Sequence, residues 1–173
     1  MLVYLIGFMG SGKTTVARKV AKKLRWEFAD MDRLIETRTG LSVEAIFRDK
    51  GEEYFREIES EELRNIDRAG VDTVIACGGG TPCFFDNMAY MNETGLTIYL
   101  KMSVNALKQR LTKSISVRPL IKDMTDGELQ DYISSTVAKR EKWYCMSAVI
   151  SDGLDVDISE IILAIRNHLA YNL

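Results

Sequence analysis

One histidine and three cysteines are all that this 173-residue chain offers a transition metal or a thiol or imidazole nucleophile. His168 lies near the C-terminus in a helical pattern, and Cys77, Cys83 and Cys145 form no C-x-x-C pair. That argues against a zinc cluster and against a Ser-His or Cys-His catalytic system. The odd, scattered thiols suit a reducing compartment. An excess of charge of one sign is lacking too: 23 Lys and Arg against 25 Asp and Glu leave a net charge of −2. Such a balance argues against a general affinity for nucleic acid or an anionic membrane, so anions must be held locally by placed Arg and Lys. No apolar run reaches transmembrane length. The N-terminal run has no basic residue ahead of it and is expected to be a buried strand, not a signal peptide. No internal repeat, low-complexity tract or interdomain linker is visible.

What is present is an ordinary globular composition, 46% hydrophobic and 28% charged. The length suits one domain, residues 1–173, with a sizeable core. The expected location is the cytoplasm. The surface shows no interface stripe, which leaves a monomer as the expectation.

The first twenty-four residues carry the clearest signal. Met1 to Ile6 reads as an apolar strand. Gly7-Phe-Met-Gly-Ser-Gly-Lys-Thr14 follows and fits G-x-x-x-x-G-K-[ST]. Thr15 to Leu24 then reads as a helix, with Val16, Val20 and Leu24 on one face. Strand, glycine loop and helix together make a phosphate site. Gly7, Gly10 and Gly12 permit dihedrals that side chains forbid. The loop N–H groups form an anion nest, and the helix N-terminus adds its own donors and dipole. Gly10, Ser11, Gly12, Lys13, Thr14 and Thr15 are therefore expected to hold phosphate groups. Lys13 supplies charge at the β- and γ-phosphates, and the Thr14 hydroxyl is suited to Mg²⁺.

The remainder alternates strands and helices. Arg25–Ala29, Asp72–Cys77, Leu96–Leu100 and Ala148–Ile150 read as further strands. Helices are expected over Arg33–Thr39, Val43–Arg48, Glu52–Arg68, Phe84–Met91, about 104–113, Asp126–Lys142 and Ile158–Leu169. Residues 114–124 lack clean periodicity and read as a loop or lid. Five short apolar strands alternating with helices predict a parallel sheet covered on both faces, a three-layer α/β/α domain. In such sheets ligands sit beyond the carboxyl ends of the strands. Residues 7–15, 30–32, 78–80 and 101–103 cluster there.

Each later cluster has a functional and a bland reading. Asp30 and Asp32 close the second strand. Alternation would aim one at metal and phosphate and the other at a second substrate; a helix N-cap is the alternative. Arg56 and Glu59 are an i,i+3 pair, either a surface pair or an arginine held so that its fork meets a carboxylate. Gly78, Gly79 and Gly80 suit close approach of backbone to a ligand, or a plain flexible turn. The third strand lacks the terminal aspartate that often serves Mg²⁺, which makes Asp30, through water, the nearest candidate partner of Thr14. Arg118, before the rigid Pro119, can neutralise charge on a transferring phosphoryl group. Arg140, beside Lys139 and Lys142, reads equally as part of a solvated face.

As an ordered set these motifs resemble the shikimate kinase family over nearly the whole chain. The resemblance rests on Gly7–Thr14, Asp30-x-Asp32 and Thr39-Gly-Leu-Ser-Val-Glu-Ala-Ile-Phe47. It continues with Gly51-Glu-x-x-Phe55-Arg56-x-x-Glu59, Gly78-Gly-Gly80, Arg118-Pro-Leu120, and Arg140 followed by Tyr144. It implies a nucleoside-monophosphate-kinase-like P-loop fold with a central five-stranded parallel sheet. It implies transfer of the ATP γ-phosphoryl group to the 3-hydroxyl of shikimate, in aromatic amino-acid synthesis. It also implies that Asp32, Arg56, Gly79 and Arg140 hold shikimate, that Asp30 orders the Mg²⁺ shell, and that Arg118 closes over ATP. The segment of about 32–60 would receive substrate and that of about 112–124 would be the lid. The catalytic set is then Lys13, Asp32 and Arg118.

Two departures stand out. After Arg140 the family's proline and glutamate are replaced, in Lys142-Trp-Tyr-Cys-Met-Ser-Ala148. Ser151 to Asp155 offers no basic residue for the adenine. Two alternatives to a shikimate kinase remain: a related small-carboxylate kinase, such as a gluconate kinase, and a non-catalytic kinase-like sensor. The presence of Lys13, Thr14, Asp30, Asp32 and Arg118, and the want of an appended DNA-binding segment, weigh against the sensor.

Overall fold

The computed structural model describes residues 1–68, 70–113, 121 and 124–171. Five strands form one wholly parallel sheet: β1 (Leu2–Ile6), β2 (Glu27–Asp30), β3 (Thr73–Ala76), β4 (Gly95–Lys101) and β5 (Val149–Asp152). Their spatial order is β2-β3-β1-β4-β5. β1 and β2 follow each other in sequence but do not pair, because β3 lies between them.

Parallel strands covered on both faces need apolar side chains on both, and β1 is buried at every position. Val3 and Leu5 join Val74, Ile98 and Leu100 against helices α1 (Lys13–Leu24) and α7 (Ile158–Tyr171). Leu2, Tyr4 and Ile6 join Ile75 and Tyr99 on the other face. There they meet Leu63 of α3 (Val43–Arg68), Met88 and Met91 of α4 (Asn87–Thr94), and Tyr144 of α6 (Asp126–Tyr144). The period-two alternation within β1 thus feeds two separate cores. Phe8 anchors the glycine loop in a third core with Leu107 and Leu111 of α5 (Val104–Lys113) and Ile133 of α6. A fourth, of Ile35, Ile46, Phe55 and Ile58, packs α2 (Met31–Thr39) on α3.

Two expectations change and a third holds. The helix after β2 begins at Met31, not Arg33, so Asp32 lies in its first turn. Strand alternation therefore does not set the directions of Asp30 and Asp32. The helices expected on either side of Gly51 are both present, labelled together as α3, and Gly51 at φ 84°, ψ 173° separates them. No side chain crowds that turn, so glycine is there for the positive φ. The Phe84–Met91 helix is replaced by a 3₁₀ turn (Thr81–Cys83), an extended Phe84 and α4. Phe84 leaves the helical region because its ring packs 4.2 Å from the Arg56 guanidinium. The turn at Phe85, φ 50°, then restarts the chain as α4.

Candidate functional site

A cavity of about 460 Å³ opens beyond the carboxyl ends of β1, β2 and β3. Gly10, Gly12, Lys13, Thr14, Thr15, Asp30, Asp32, Gly78 and Gly79 line it. Ser11, Arg56, Gly80 and Arg140 do not line it directly. Arg56 packs against Gly80, and Arg140 approaches Gly79.

On the nucleotide side, Gly12 at φ 94° is the N-cap of α1, so the loop delivers its last amides straight into the helix terminus. Lys13 is buried, and its Nζ donates to the carbonyls of Gly7 (2.8 Å) and Phe8 (2.9 Å). The ammonium is held in the mouth of its own loop. The Ser11 hydroxyl is buried with no hydrogen-bond partner among the described residues, and it does not face the cavity. The loop amides and the Lys13 ammonium fit the polyphosphate of ATP.

Asp30 occupies the N-cap position of α2 but makes no side-chain cap. Its Oδ2 instead accepts from the Thr14 hydroxyl at 3.0 Å. The bland reading of Asp30 as a cap therefore fails, and the pair forms a hard-oxygen site that fits Mg²⁺. Among the described residues no cluster of three or more His, Cys, Asp or Glu could enclose a metal. Two protein oxygens suit an ion that keeps phosphate and water in the rest of its shell.

Asp32 faces the same cavity as Asp30. Water reaches its carboxyl from the cleft, yet most of the volume around it is protein. Loss of hydration, then the negative charges of Asp30 and Glu59, push its pKa up to about 6, with Lys13 pulling the other way. An ordinary aspartate, near 3.8, would be a poorer proton acceptor at neutral pH.

On the opposite side, the Arg56–Glu59 pair is interior. Glu59 is fully buried and Arg56 is 7% exposed. Glu59 Oε2 accepts from Arg56 at 2.7 Å and Oε1 from the Thr81 hydroxyl at 2.5 Å, while Glu52 accepts from Arg56 at 3.0 Å. Phe55 and Phe84 pack on the guanidinium. The surface-pair reading of Arg56 is thereby overturned. Two of the three glycines, Gly78 and Gly80, have a steric cause. A methyl carbon on Gly80 would lie 2.6 Å from the Arg56 guanidinium, and one on Gly78 2.6 Å from Glu59 Oε1. One on Gly79 would lie 3.5 Å from Arg140 Nη1 and 3.6 Å from the Gly7 carbonyl oxygen. The loop therefore lies between both arginines and the phosphate loop.

Arg140 is half-buried while Lys139 and Lys142 are exposed, so it is not part of their solvated face. Tyr144, one turn on, is fully buried and donates its hydroxyl to the Gly79 carbonyl. It packs despite the lost proline and glutamate because Tyr99 stacks on it at 5.0 Å. Glu141 in turn holds the Tyr99 hydroxyl (2.9 Å) and Lys101 (2.7 Å). The 101–103 cluster consequently does not join this cavity. Arg110 does, and no sequence signal singled it out. It donates to the Ser11 carbonyl (3.1 Å) and the Gly153 carbonyl (3.0 Å), tying the phosphate loop to the turn after β5. Arg118 lies outside the described residues.

A family model described as shikimate kinase matches residues 9–170. The shikimate kinase of Parabacteroides distasonis is 43% identical over 151 residues, covering 87% of each chain. Among solved structures, shikimate kinase from Bacteroides thetaiotaomicron superposes with a TM-score of 0.90 at 34% identity, covering 98% of both chains. Shikimate kinase from Acinetobacter baumannii, solved in complex with shikimate, gives 0.83 at 28% identity, over 99% of this chain and 93% of that one.

Proposed function

This chain belongs to the shikimate kinase family, ATP-dependent phosphotransferases, and on that premise we propose how its own residues carry the ATP γ-phosphoryl group to the 3-hydroxyl of shikimate. One observation carries the reading. A buried arginine, fixed by a buried glutamate, abuts the same glycine loop that faces the phosphate loop across a single cavity.

The 10–15 loop holds the polyphosphate of ATP. Lys13 leaves its two carbonyls for the β- and γ-phosphates. Mg²⁺, held by Thr14 and by Asp30 through water, would neutralise charge on the phosphates when bound. Arg56 and Arg140 grip the shikimate carboxylate, with Gly78, Gly79 and Gly80 shaping the wall between them. Asp32 orients the attacking hydroxyl and accepts its proton late, once the bond to phosphorus is forming. Even at a pKa near 6 it is too weak a base to strip an alcohol beforehand, so positioning supplies most of the acceleration. Arg118, in a lid of about 112–124, offsets charge on the transferring group and excludes water. The segment of about 32–60 receives shikimate.

We place this single domain in the cytoplasm as a monomer acting on two small molecules, without nucleic-acid or membrane partners. A net charge of −2 supports the lack of a general nucleic-acid or anionic-membrane partner, and no helix among the described residues is long and apolar enough to cross a membrane. The test is coupled ADP release with Mg²⁺·ATP and either shikimate or gluconate. Shikimate-dependent release is expected. Release with gluconate alone, or ligand binding without any release, would overturn the reading.

A further inference from the structure

Tyr144 is a buried polar side chain whose contact with the glycine loop the mechanism above does not use. It sits four residues after Arg140 on α6, so the two side chains share one helix face, one turn apart. Both reach the same glycine. Arg140 Nη1 lies 3.5 Å from where a methyl carbon on Gly79 would stand, and the Tyr144 hydroxyl donates to the Gly79 carbonyl. A peptide unit is planar, so fixing that carbonyl fixes the whole Gly79–Gly80 plane, including the Gly80 N–H on its opposite side. Gly80 is the residue whose Cα packs against Arg56. One hydroxyl thus sets the loop against both arginines. Glycine supplies no side chain to do this for itself, and three in a row would otherwise leave the loop free to sample many conformations.

The ring is braced for the task. It is fully buried and stacks on Tyr99, whose own hydroxyl points away to Glu141. Tyr99 therefore offers an internal comparison: a neighbouring buried phenol, hydrogen-bonded, that does not touch the loop.

We propose that Tyr144 is a positioning residue for the acceptor: its hydroxyl, donated to the Gly79 carbonyl, holds the Gly79–Gly80 peptide where a carboxylate gripped by Arg56 and Arg140 meets it. This rests on the shikimate reading above. Tyr144→Phe removes the hydroxyl and keeps the ring. The expected result is a rise in the shikimate KM and in the calorimetric Kd of roughly three- to tenfold, the worth of one hydrogen bond. The ATP KM and kcat should stay within about twofold.

Tyr99→Phe, which loses a hydrogen-bonded hydroxyl from a buried ring, should leave the shikimate KM and Kd unchanged. A Tyr144→Phe enzyme with wild-type shikimate affinity overturns the proposal. So does a loss that Tyr99→Phe shares, or one that falls equally on ATP, since either marks general loosening. A wild-type protein that neither binds nor phosphorylates shikimate would overturn the functional reading and this proposal together, which sets that failure apart from one seen only in the variant.

Discussion

Replacing Glu59 by glutamine should lower stability and move a pH profile at the same time, for reasons that trace to two different neighbours. Glu59 is fully buried, with one oxygen on Arg56 at 2.7 Å and the other on the Thr81 hydroxyl at 2.5 Å. The amide keeps the shape and one acceptor but loses the charge. Arg56 retains Glu52, whose side chain is 56% exposed and so the weaker partner. Loss of the charge-assisted bond to Glu59 should cost about 1.5–3 kcal/mol. For a chain of this size that is about 2–4 °C in melting temperature for each kcal/mol. The second effect is on Asp32, whose carboxyl is pushed up in part by the Glu59 charge. Without that charge the Asp32 pKa must fall. The acid limb of kcat/KM for shikimate reports the free enzyme, and the ionised carboxylate is the active form. Activity is therefore lost as pH drops through about 6 in the wild type, and at lower pH in Glu59→Gln. Differential scanning calorimetry and a pH series of coupled ADP release measure the two effects. A limb that stays in place or moves upward would refute the assignment of that limb to Asp32.

Gly80→Ala should raise the shikimate KM by about tenfold or more, because a methyl 2.6 Å from the Arg56 guanidinium must displace it. An unchanged KM would mean Arg56 yields freely or takes no part. Asp32→Asn should cut kcat by about 10²–10⁴. It should also stabilise the fold at pH 8 and not at pH 4. A carboxyl whose pKa is raised on folding is destabilising only where it is ionised, so the penalty is absent below 3.8 and complete above about 6. Cleft water screens the group, which limits the gain to about 1 kcal/mol in thermal melts. Thr14→Val should raise the Mg²⁺ concentration for half-maximal activity by about tenfold or more in a metal titration. Arg118→Ala should lower turnover by about 10³ or more, with little change in shikimate affinity.

The phosphate site was legible because its residues are contiguous and each is required by local geometry. Gly7 to Thr14 needs only the strand before it and the helix after it. The sheet was legible for a similar reason, since five apolar runs alternate with helices. Arg56 and Glu59 were ambiguous from spacing, because an i,i+3 pair looks the same on a surface and in an interior. Burial under Phe55 and Phe84 decides between them, and burial is tertiary. Phe84 itself was misread as helical because local pattern outvoted a contact made 28 residues away along the chain. The Arg110–Ser11 and Tyr144–Gly79 bonds span separations of 99 and 65 residues, which no window of sequence contains. Asp30 and Asp32 were found as a pair, but their shared cavity follows from α2 starting two residues early.

The insertion of β3 between β1 and β2 has a consequence for how the polypeptide comes together. β1 has both its partners, β3 and β4, more than seventy residues downstream, since Leu2 pairs with Thr73 and Gly95. As the chain leaves the ribosome, the phosphate loop and its helix emerge long before any strand exists to hold β1 flat. A nascent chain ending near residue 70 carries the apolar β1 and the mixed β2 with their edge amides unpaired, a state exposed to aggregation and to chaperones. Such non-local pairing slows folding, because loop closure precedes the contacts that reward it. The synthesis of this enzyme therefore has a commitment point. Thr73–Ala76 is the first segment able to join β1 to β2, while Arg140 on α6 completes the acceptor side only after it.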